Sequence, residues 1–536
     1  VYGDDHAVTA NCHHNLAAML YDSGRYEDAL KEFEDALRIR RKVLPRDHPY
    51  IASSLAGIGL TLATLGQLKE SEKILREALA ARRKILGEDH PETAVAWNNL
   101  GATLSARAEH PEALECLRKS LKIRQSVFGN NYPDTAKAHN NVGVQLFTMG
   151  EYRETLPHYE AALTCYREFY GPERANHPDI AMAENNLGFL LMAMGRLSDA
   201  QVHLDTAQTI YKKMGQANHP IRATILNNLG ILASQAGDHV AARTCLEEAF
   251  EIRKAAFKLD NAATATVRMN LAVTLWALKD RSAIREFSAA LKVLSETLPP
   301  DHPTLAQALQ NLAVWSIDDQ DKEFVRGLLT RALAVKRTKL GDHHPETILT
   351  LNNLAYYLME TGSATDAEKL LADALKICVD KLGPENPLTC LVQHNLGSTA
   401  YSLQNYPAAE KHLRVAVKGF AKAHGQQHPD TSRSRNMLAY TLAAQGKPTT
   451  RPDEANARRQ TSSLRPGNFS WVSRKDSAAS PAGGAGPDVP GGWPWPRPTN
   501  WGLTLRNSGP PSWTGRRPAA GRLLDRLEAL IAGSDA

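Results

Sequence analysis

The stretch Gly87-Glu88-Asp89-His90-Pro91-Glu92-Thr93-Ala94-Val95-Ala96-Trp97-Asn98-Asn99-Leu100-Gly101 decides the fold, because altered copies of it return along most of the chain. Its His-Pro pair recurs at positions 48, 90, 177, 219, 302, 344 and 428, and degenerate copies stand at 6, 132, 261 and 386. The spacing is 42 residues, except for 45 between 132 and 177 and 41 between 261 and 302. Repeats of this length are units that cannot bury their own apolar faces, so consecutive copies must stack.

One repeat, residues 90–131, contains two helical patterns. Pro91 suits the first turn of a helix, and Asp89 just before it is the expected N-cap. Apolar residues at three- and four-residue spacing then predict an amphipathic helix A, which ends near Ala108, where most repeats have glycine. The same spacing from Ala113 onward predicts helix B. The sequence therefore predicts an all-α chain, an α-solenoid of about ten and a half antiparallel helix pairs with contacts between nearest neighbours.

The chain divides into an array and a tail. The array is predicted over residues 1–446, with repeats that start near 6, 48, 90, 132, 177, 219, 261, 302, 344, 386 and 428. Residues 447–521 are rich in Pro, Gly and Ser and are expected to be disordered, and 522–532 has the pattern of one short amphipathic helix. Val1 stands inside a loop motif that normally follows a helix, so we expect a further repeat upstream.

Composition excludes several classes of function. The net charge of +5 arises in the tail, since the array has 50 basic and 51 acidic residues, so no nucleic-acid partner is indicated. No apolar run reaches the roughly 18 residues that a membrane span needs. The six cysteines are scattered singly, and histidines 42 residues apart cannot converge on one ion. We expect no cofactor, no metal and no catalytic site.

These residues resemble the tetratricopeptide repeat, with a small residue at Gly101, glycine at Gly66 and Ala-Leu at Ala36-Leu37. The linker Leu-Gly-x-x-His-Pro and the motif Asn-Asn-Leu-Gly are similar to those of the kinesin light chain subtype, which nephrocystin-3 shares. The resemblance covers most of residues 1–446. It implies a right-handed superhelix in which one stripe of helix A lines a concave groove for peptides.

The resemblance and the helical spacing together suggest which side chains line the groove. The second asparagine of the pair, as in Asn99, is expected to tie its helix to the backbone of the neighbouring repeat. The first asparagine is expected to face the groove, where a carboxamide can pair with the backbone of an extended peptide. The predicted peptide-binding residues are Asn98, Asn140, Asn185, Asn227, Gln310, Asn352, Lys137, Phe147, Phe189 and Tyr356. A cation also recurs at the end of helix B, as in Arg40 and Arg82, and is interpreted either as a helix-dipole cation or as groove charge.

The predicted function is a non-catalytic scaffold that binds extended peptide segments of other proteins in the cytoplasm. One alternative is a kinesin light chain-like cargo adaptor, whose partner is kinesin heavy chain or another motor or cytoskeletal protein and whose location is the cytoskeleton. Another is the sensor array of a larger protein with an upstream NTPase or enzymatic domain. A coiled coil before Val1 would indicate the adaptor, and a phosphate-binding loop there would indicate the sensor.

Overall fold

A computed structural model describes residues 5–257, 261–316, 322–426 and 428–447, and the backbone of 468–469 and 504–505. Within these residues the chain forms α1 to α21: Ala7–Asp22, Tyr26–Val43, Pro49–Thr64, Leu68–Leu86, Pro91–Ala106, His110–Phe128, Pro133–Thr148, Tyr152–Tyr170, Pro178–Ala193, Leu197–Lys213, Pro220–Ala236, His239–Phe257, Ala262–Ala277, Ser282–Thr297, Pro303–Trp315, Lys322–Leu340, Pro345–Glu360, Ala364–Lys381, Pro387–Ser402, Tyr406–His424 and Pro429–Ala444. The all-α solenoid prediction and the count of helix pairs are confirmed.

The helices alternate as predicted: odd-numbered helices are helix A of a repeat, and even-numbered helices are helix B. The 3-10 turn Pro172–Arg174 occupies the three-residue insertion that lengthens one repeat. Beyond Lys447 the described backbone consists of two antiparallel two-residue strands, β1 Asn468–Phe469 and β2 Thr504–Leu505. The predicted disordered tail and the short helix at 522–532 otherwise lie outside the described residues.

The histidine of the His-Pro pair caps helix A, and the prediction that Asp89 does so is wrong. The Nδ1 atom of His90 accepts a hydrogen bond from the backbone N–H of Glu92 at 3.1 Å. The same bond, at 3.1 to 3.2 Å, forms at His6, His48, His177, His219, His302, His344 and His428. An imidazole nitrogen can accept this bond only while it is unprotonated, so the cap requires a neutral histidine.

Small residues allow the two helices of one repeat to approach closely. At Gly230 on α11, an added Cβ atom would lie 2.7 Å from Cγ of Leu246 on α12. Leu246 is fully buried, as is Ala223 on the same face of α11. The small residue at this position of helix A, which is glycine in some repeats and alanine in others such as Ala272, is therefore a contact point for helix B rather than a flexible site.

The described helices divide into two compact units. Unit 1 comprises residues up to Met149 and Glu154–Ala183, and unit 2 comprises Gly150–Arg153 and the described residues from Glu184 onward. Unit 2 contains contacts between residues far apart in sequence, which we call the seam. Lys381 Nζ lies 2.6 Å from Glu151 Oε1, and Asn386 Nδ2 donates a hydrogen bond to the Ala193 carbonyl at 3.2 Å. The expectation that contacts link only neighbouring repeats is therefore wrong for unit 2.

Two glycines make the seam sterically feasible. Gly150 and Gly195 end their helix-A segments with φ of +78° and +79°. The rings of Pro345 and Pro387, the first residues of α17 and α19, lie directly over these glycines, and a methyl group there would collide with the ring. Glycine is thus required at both places for the positive φ and for the close approach of a proline.

Candidate peptide-binding face

The predicted binding residues lie on one stripe of helix A. We call it the A-stripe and define it as the residues 5, 8, 12 and 15 positions after the first residue of each repeat, for example Val95, Asn98, Ala102 and Ser105. The six amides Asn98, Asn140, Asn185, Asn227, Gln310 and Asn352, and the aromatic residues Phe147, Phe189 and Tyr356, are at most 6% exposed. Lys137 alone among the ten has a largely accessible side chain, at 48%.

In unit 2 the asparagines form a continuous chain of side-chain hydrogen bonds, which we call the amide ladder. Asn270 Nδ2 donates to Asn227 Oδ1 at 3.0 Å, and Asn227 Nδ2 donates to Asn228 Oδ1 at 3.4 Å. Asn228 Nδ2 donates to Asn185 Oδ1 at 2.9 Å, and Asn185 Nδ2 donates to Asn186 Oδ1 at 3.3 Å. The ladder thus crosses three consecutive repeats through their helix A.

The expectation of different roles for the two asparagines is therefore wrong where the amide ladder forms. The second asparagine does bind the neighbouring repeat, but its acceptor is the first asparagine of that repeat and not the backbone. The same link joins Asn141 to Asn98 at 2.7 Å and Asn395 to Asn352 at 2.9 Å. The first asparagine carries a structural bond, so its Oδ1 atom is not available to a peptide in this conformation.

The amide ladder breaks where the first asparagine is replaced. The second asparagine Asn99 follows a repeat that has Ala56 at the matching position, and neither polar atom of the buried Asn99 side chain has a hydrogen-bond partner among the described residues. Asn311 follows a repeat with Met269 there, and its Nδ2 atom likewise has none. These breaks confirm that the preceding repeat supplies the acceptor.

Gln310 takes part in a different buried network. Lys336 Nζ donates to Gln307 Oε1 at 2.6 Å and to Gln310 Oε1 at 3.2 Å, and Glu346 lies 3.8 Å away. The Lys336 side chain is fully buried, and burial lowers its pKa to about 8 although the Glu346 carboxylate opposes the shift. Gln310 therefore holds a buried cation inside unit 2 rather than offering its amide to a ligand.

The recurrent cations at the end of helix B join one repeat to the next. An Arg40 Nη donates to the carbonyl of Tyr50, at the start of the following helix A, at 2.8 Å. Arg82 reaches Glu92 and Arg124 reaches Asp134 in the same way, at 3.0 and 3.2 Å. Burial lowers the pKa of all three guanidinium groups. Neither sequence interpretation, a helix-dipole cation or groove charge, describes this bridging contact.

The accessibility of the A-stripe differs between α1 to α7 of unit 1 and α11 to α19 of unit 2, whereas at the first position Met182 on α9 of unit 1 is buried and Arg433 on α21 of unit 2 is half-buried. At its first position, unit 2 buries all five residues of α11 to α19: Thr224, Thr266, Gln307, Leu349 and Leu391. Unit 1 leaves the corresponding residues of α1, α3, α5 and α7 half-buried or exposed: Asn11, Ser53, Val95 and Lys137. The next accessible position of the same four helices holds small or apolar residues that are half-buried: Ala18, Leu60, Ala102 and Val144.

We define the open face of unit 1 as these eight residues. Of the predicted binding residues, only Lys137 belongs to it, and sequence reasoning missed the other seven. The asparagines were predicted because they recur, whereas the residue type at the accessible positions differs from repeat to repeat. One residue of this face is held in place by Arg40, because an Arg40 Nη atom donates to Asn11 Oδ1 at 2.9 Å.

The chain matches two family models that are both described as tetratricopeptide repeat. One matches residues 50–126, 179–255, 346–422 and 388–450, and the other matches 9–50 and 135–179. The chain therefore belongs to the tetratricopeptide repeat family. No curated protein sequence matches it significantly. In the described part of the chain, no helix combines the length and apolar character that crossing a bilayer requires.

Solved structures with a similar fold come from several sources. A putative kinesin light chain of Podosopora anserina with nearly identical TPR-like repeats is 20% identical over 39% of this chain and 98% of its own, with a TM-score of 0.35. BtubC (BKLC) from P. vanneervenii is 20% identical over 47% and 92%, with a TM-score of 0.33. The apo form of RapI is 15% identical over 53% and 97%, with a TM-score of 0.43.

Proposed function

We propose that the chain is a non-catalytic interaction scaffold that binds an extended peptide segment of a partner protein on the open face of unit 1. The observation that carries this proposal is the contrast in burial between the A helices of α1 to α7 and those of α11 to α19. Four consecutive A helices present accessible side chains in unit 1, whereas the matching first-position side chains of α11 to α19 are packed against protein. Repeat proteins bind partners on surfaces to which successive repeats each contribute a few residues.

The chemistry of the open face suits a peptide of mixed character. Leu60, Ala102 and Val144 offer apolar surface for alternate side chains of an extended segment. Asn11 and Ser53 can bond to main-chain groups, which every peptide presents. The Lys137 ammonium, whose nearest acidic neighbour Asp134 is 3.8 Å away, can pair with an acidic side chain of the ligand. The face is therefore expected to select apolar segments that contain at least one acidic residue.

The test is a selection of peptides from a random display library on the full chain. The selected peptides should lose affinity when Val95→Glu and Lys137→Glu are combined, because the two changes place negative charge where the ligand has apolar and acidic groups. We expect at least a tenfold loss, which corresponds to about 1.4 kcal/mol. Fluorescence anisotropy of labelled peptides measures the effect.

Two control variants separate the open face from other surfaces. Lys122→Glu changes an exposed lysine on α6 and should leave peptide affinity unchanged. Phe189→Ala empties a buried site in unit 2 and should lower stability, with no direct loss of peptide contact. Peptides that bind the combined variant normally, or that respond only to changes in unit 2, would refute the proposed location.

A kinesin light chain-like adaptor in the cytoplasm or on the cytoskeleton is the second candidate, and the residues Asn-Asn-Leu-Gly and the His-Pro linker are what favour it. It predicts direct binding of a kinesin heavy chain to the full-length protein in a co-precipitation with purified components. A phosphate-binding loop in an upstream segment would instead favour the sensor array of a larger enzyme. The peptide selection described above tests all three candidate functions, since in each of them the array binds a partner.

A further inference from the structure

The last described repeat has an unusual residue where the preceding helix B ends, a position that is apolar in most repeats and is Glu173 and Gly215 before the repeats at 177 and 219. Four residues before the first residue of a repeat, the chain has an apolar side chain at Leu44, Leu86, Phe128, Leu298, Leu340 and Leu382. The repeat that starts at His428 has His424 there instead, and this side chain is only 4% exposed. A ring at this junction has counterparts: Phe128 stacks on Tyr132, and Tyr170 stacks on His177 and donates to Asp179 Oδ2 at 2.7 Å. His424 differs from these residues because its ring nitrogens can bind a metal ion.

His424 lies beside two further groups that can ligate a metal ion. One ring nitrogen of His424, one of His428 and one carboxylate oxygen of Asp430 all lie within 4.8 Å of one another. The Asp430 Oδ2 atom is 3.8 Å from His424 Nδ1 and 3.5 Å from His428 Nδ1. The side chains of His428 and Asp430 are 6% and 2% exposed, so the three groups form a buried cluster.

We propose that His424, His428 and Asp430 form a divalent metal site, and that zinc is the ion whose ligand preference they fit. Zinc binds imidazole nitrogen and carboxylate oxygen at about 2.0–2.2 Å, and tetrahedral geometry then separates neighbouring ligand atoms by about 3.4 Å. The separations from Asp430 Oδ2 to the two Nδ1 atoms are close to that value, so the ligands need move little if both histidines ligate through Nδ1, in which case His428 gives up its cap bond. Two histidines and one carboxylate leave one coordination position for water.

Arg433 supports this arrangement from outside the cluster. One of its guanidinium nitrogens lies 3.3 Å from Asp430 Oδ1, the oxygen that is further from the proposed ion. Such an outer contact fixes the orientation of a ligating carboxylate and commonly changes metal affinity by about 10–100-fold when it is removed. His428 also caps α21, with Nδ1 accepting from the Asp430 N–H at 3.2 Å. It therefore either ligates through Nε2 or exchanges the cap bond for the ion.

The alternative is a metal-free cluster in which the Asp430 carboxylate interacts only with the two imidazoles and Arg433. Both readings predict that the three residues lie together, so only ion binding separates them. The histidine spacing of 42 residues could not reveal the site, because His424 ends α20 at a position where no other repeat has histidine, and the third ligand, Asp430 on α21, is a carboxylate.

The experiment is a titration of the chelator-treated full chain with Co²⁺, which reports four-coordinate sites by its visible absorption, followed by displacement with Zn²⁺. We expect one equivalent of bound Co²⁺ and a rise in the thermal midpoint on adding zinc, since an ion that binds the folded state stabilises it. His424→Leu should abolish both effects without unfolding the chain, because leucine is the commonest residue at this position in the array.

Three further variants make the result decisive. Asp430→Asn keeps the shape of the side chain and should also abolish binding, and Arg433→Gln should weaken it by about 10–100-fold. His90→Asn alters the equivalent cap of a repeat that has Leu86 in place of His424, and it should leave metal binding unchanged. The proposal is overturned if excess cobalt gives no spectral change, if His424→Leu still binds, or if the spectrum shows thiolate ligands from the cysteines.

Discussion

Asn228 Nδ2 donates a hydrogen bond to Oδ1 of Asn185, 43 positions earlier in the chain, at 2.9 Å, and both side chains are fully buried. This bond joins helix A of one repeat to helix A of the next. It also explains why two asparagines stand side by side in the motif: the first accepts from the following repeat, and the second donates to the preceding one. A pair is needed at each internal repeat for the amide ladder to continue.

The first prediction concerns the amide ladder. Asn185→Ala and Asn228→Ala should each lower the free energy of unfolding by about 1–3 kcal/mol, because each leaves a buried amide without its partner. The double variant should cost less than the sum of the two single changes, since both remove the same bond. Urea unfolding followed by circular dichroism measures all three values.

Asn99 supplies the matched control for this prediction. It occupies the same motif position as Asn228 and is equally buried, but the preceding repeat has Ala56 in place of the accepting asparagine. Asn99→Ala should therefore cost clearly less than Asn228→Ala. Equal losses at the two sites would show that the asparagines stabilise the helices by packing and not through the hydrogen bond.

The second prediction concerns the histidine caps. His90→Ala should lower the free energy of unfolding by about 1 kcal/mol, because the Glu92 N–H loses its acceptor at the helix N-terminus. His90→Asn should retain most of the stability, since asparagine caps the corresponding helix at Asn386, where Oδ1 accepts from Leu388 at 2.9 Å. An alanine variant as stable as the wild type would mean that the cap is only incidental to packing.

The third prediction concerns the turns between helices A and B. Ala108, Lys279 and Gln404 adopt φ of +64°, +60° and +60° at the position where most other repeats have glycine. A non-glycine residue in this region is strained by roughly 1–2 kcal/mol. Ala108→Gly should therefore raise the thermal midpoint, and Gly66→Ala, at the same position with φ of +81°, should lower it. Differential scanning calorimetry would reveal a reversed order, which would contradict the strain argument.

The fourth prediction concerns acid. Burial, with a smaller effect of the neighbouring His158, lowers the pKa of His139 to about 4, from an ordinary value of 6.5. The unfolded chain therefore binds a proton at this site before the folded chain does, so the stability present above pH 6.5 is lost as the pH falls toward 4. His14, whose pKa burial also lowers to about 4, and His394, with about 3, act in the same direction.

The measurement is the free energy of unfolding between pH 7 and 4 for the wild type and for His139→Gln. The variant should lose less stability over this window, because it lacks one of the groups that take up protons on unfolding. His343→Gln, at an exposed position, should follow the wild-type curve. Parallel curves for all three proteins would show that His139 takes up no proton on unfolding in this pH range.

The sequence predicts the helices better than it predicts the site. The His-Pro spacing located the start of most A helices to the residue, because proline at the first turn and apolar periodicity are local signals. The roles of Asn98 and Asn185 depend on which residue stands one repeat earlier or later, and helical periodicity cannot distinguish a stripe that faces solvent from one that faces another repeat. The burial of Phe189 and Tyr356 could not be predicted for the same reason, since it depends on how closely the surrounding helices approach these side chains.

The seam between Glu151 and Lys381 has a consequence for synthesis of the chain on the ribosome. A purely local repeat protein can fold hairpin by hairpin as it emerges, but here Lys381, the half-buried partner of Glu151, is made 230 residues later. At translation rates of about 5–20 residues per second, this delay is on the order of ten seconds to a minute. During that time the glycine turns at 150 and 195 lack their contacts with Pro345 and Pro387. The surface that these prolines later cover is then accessible to chaperones and to other copies of the chain.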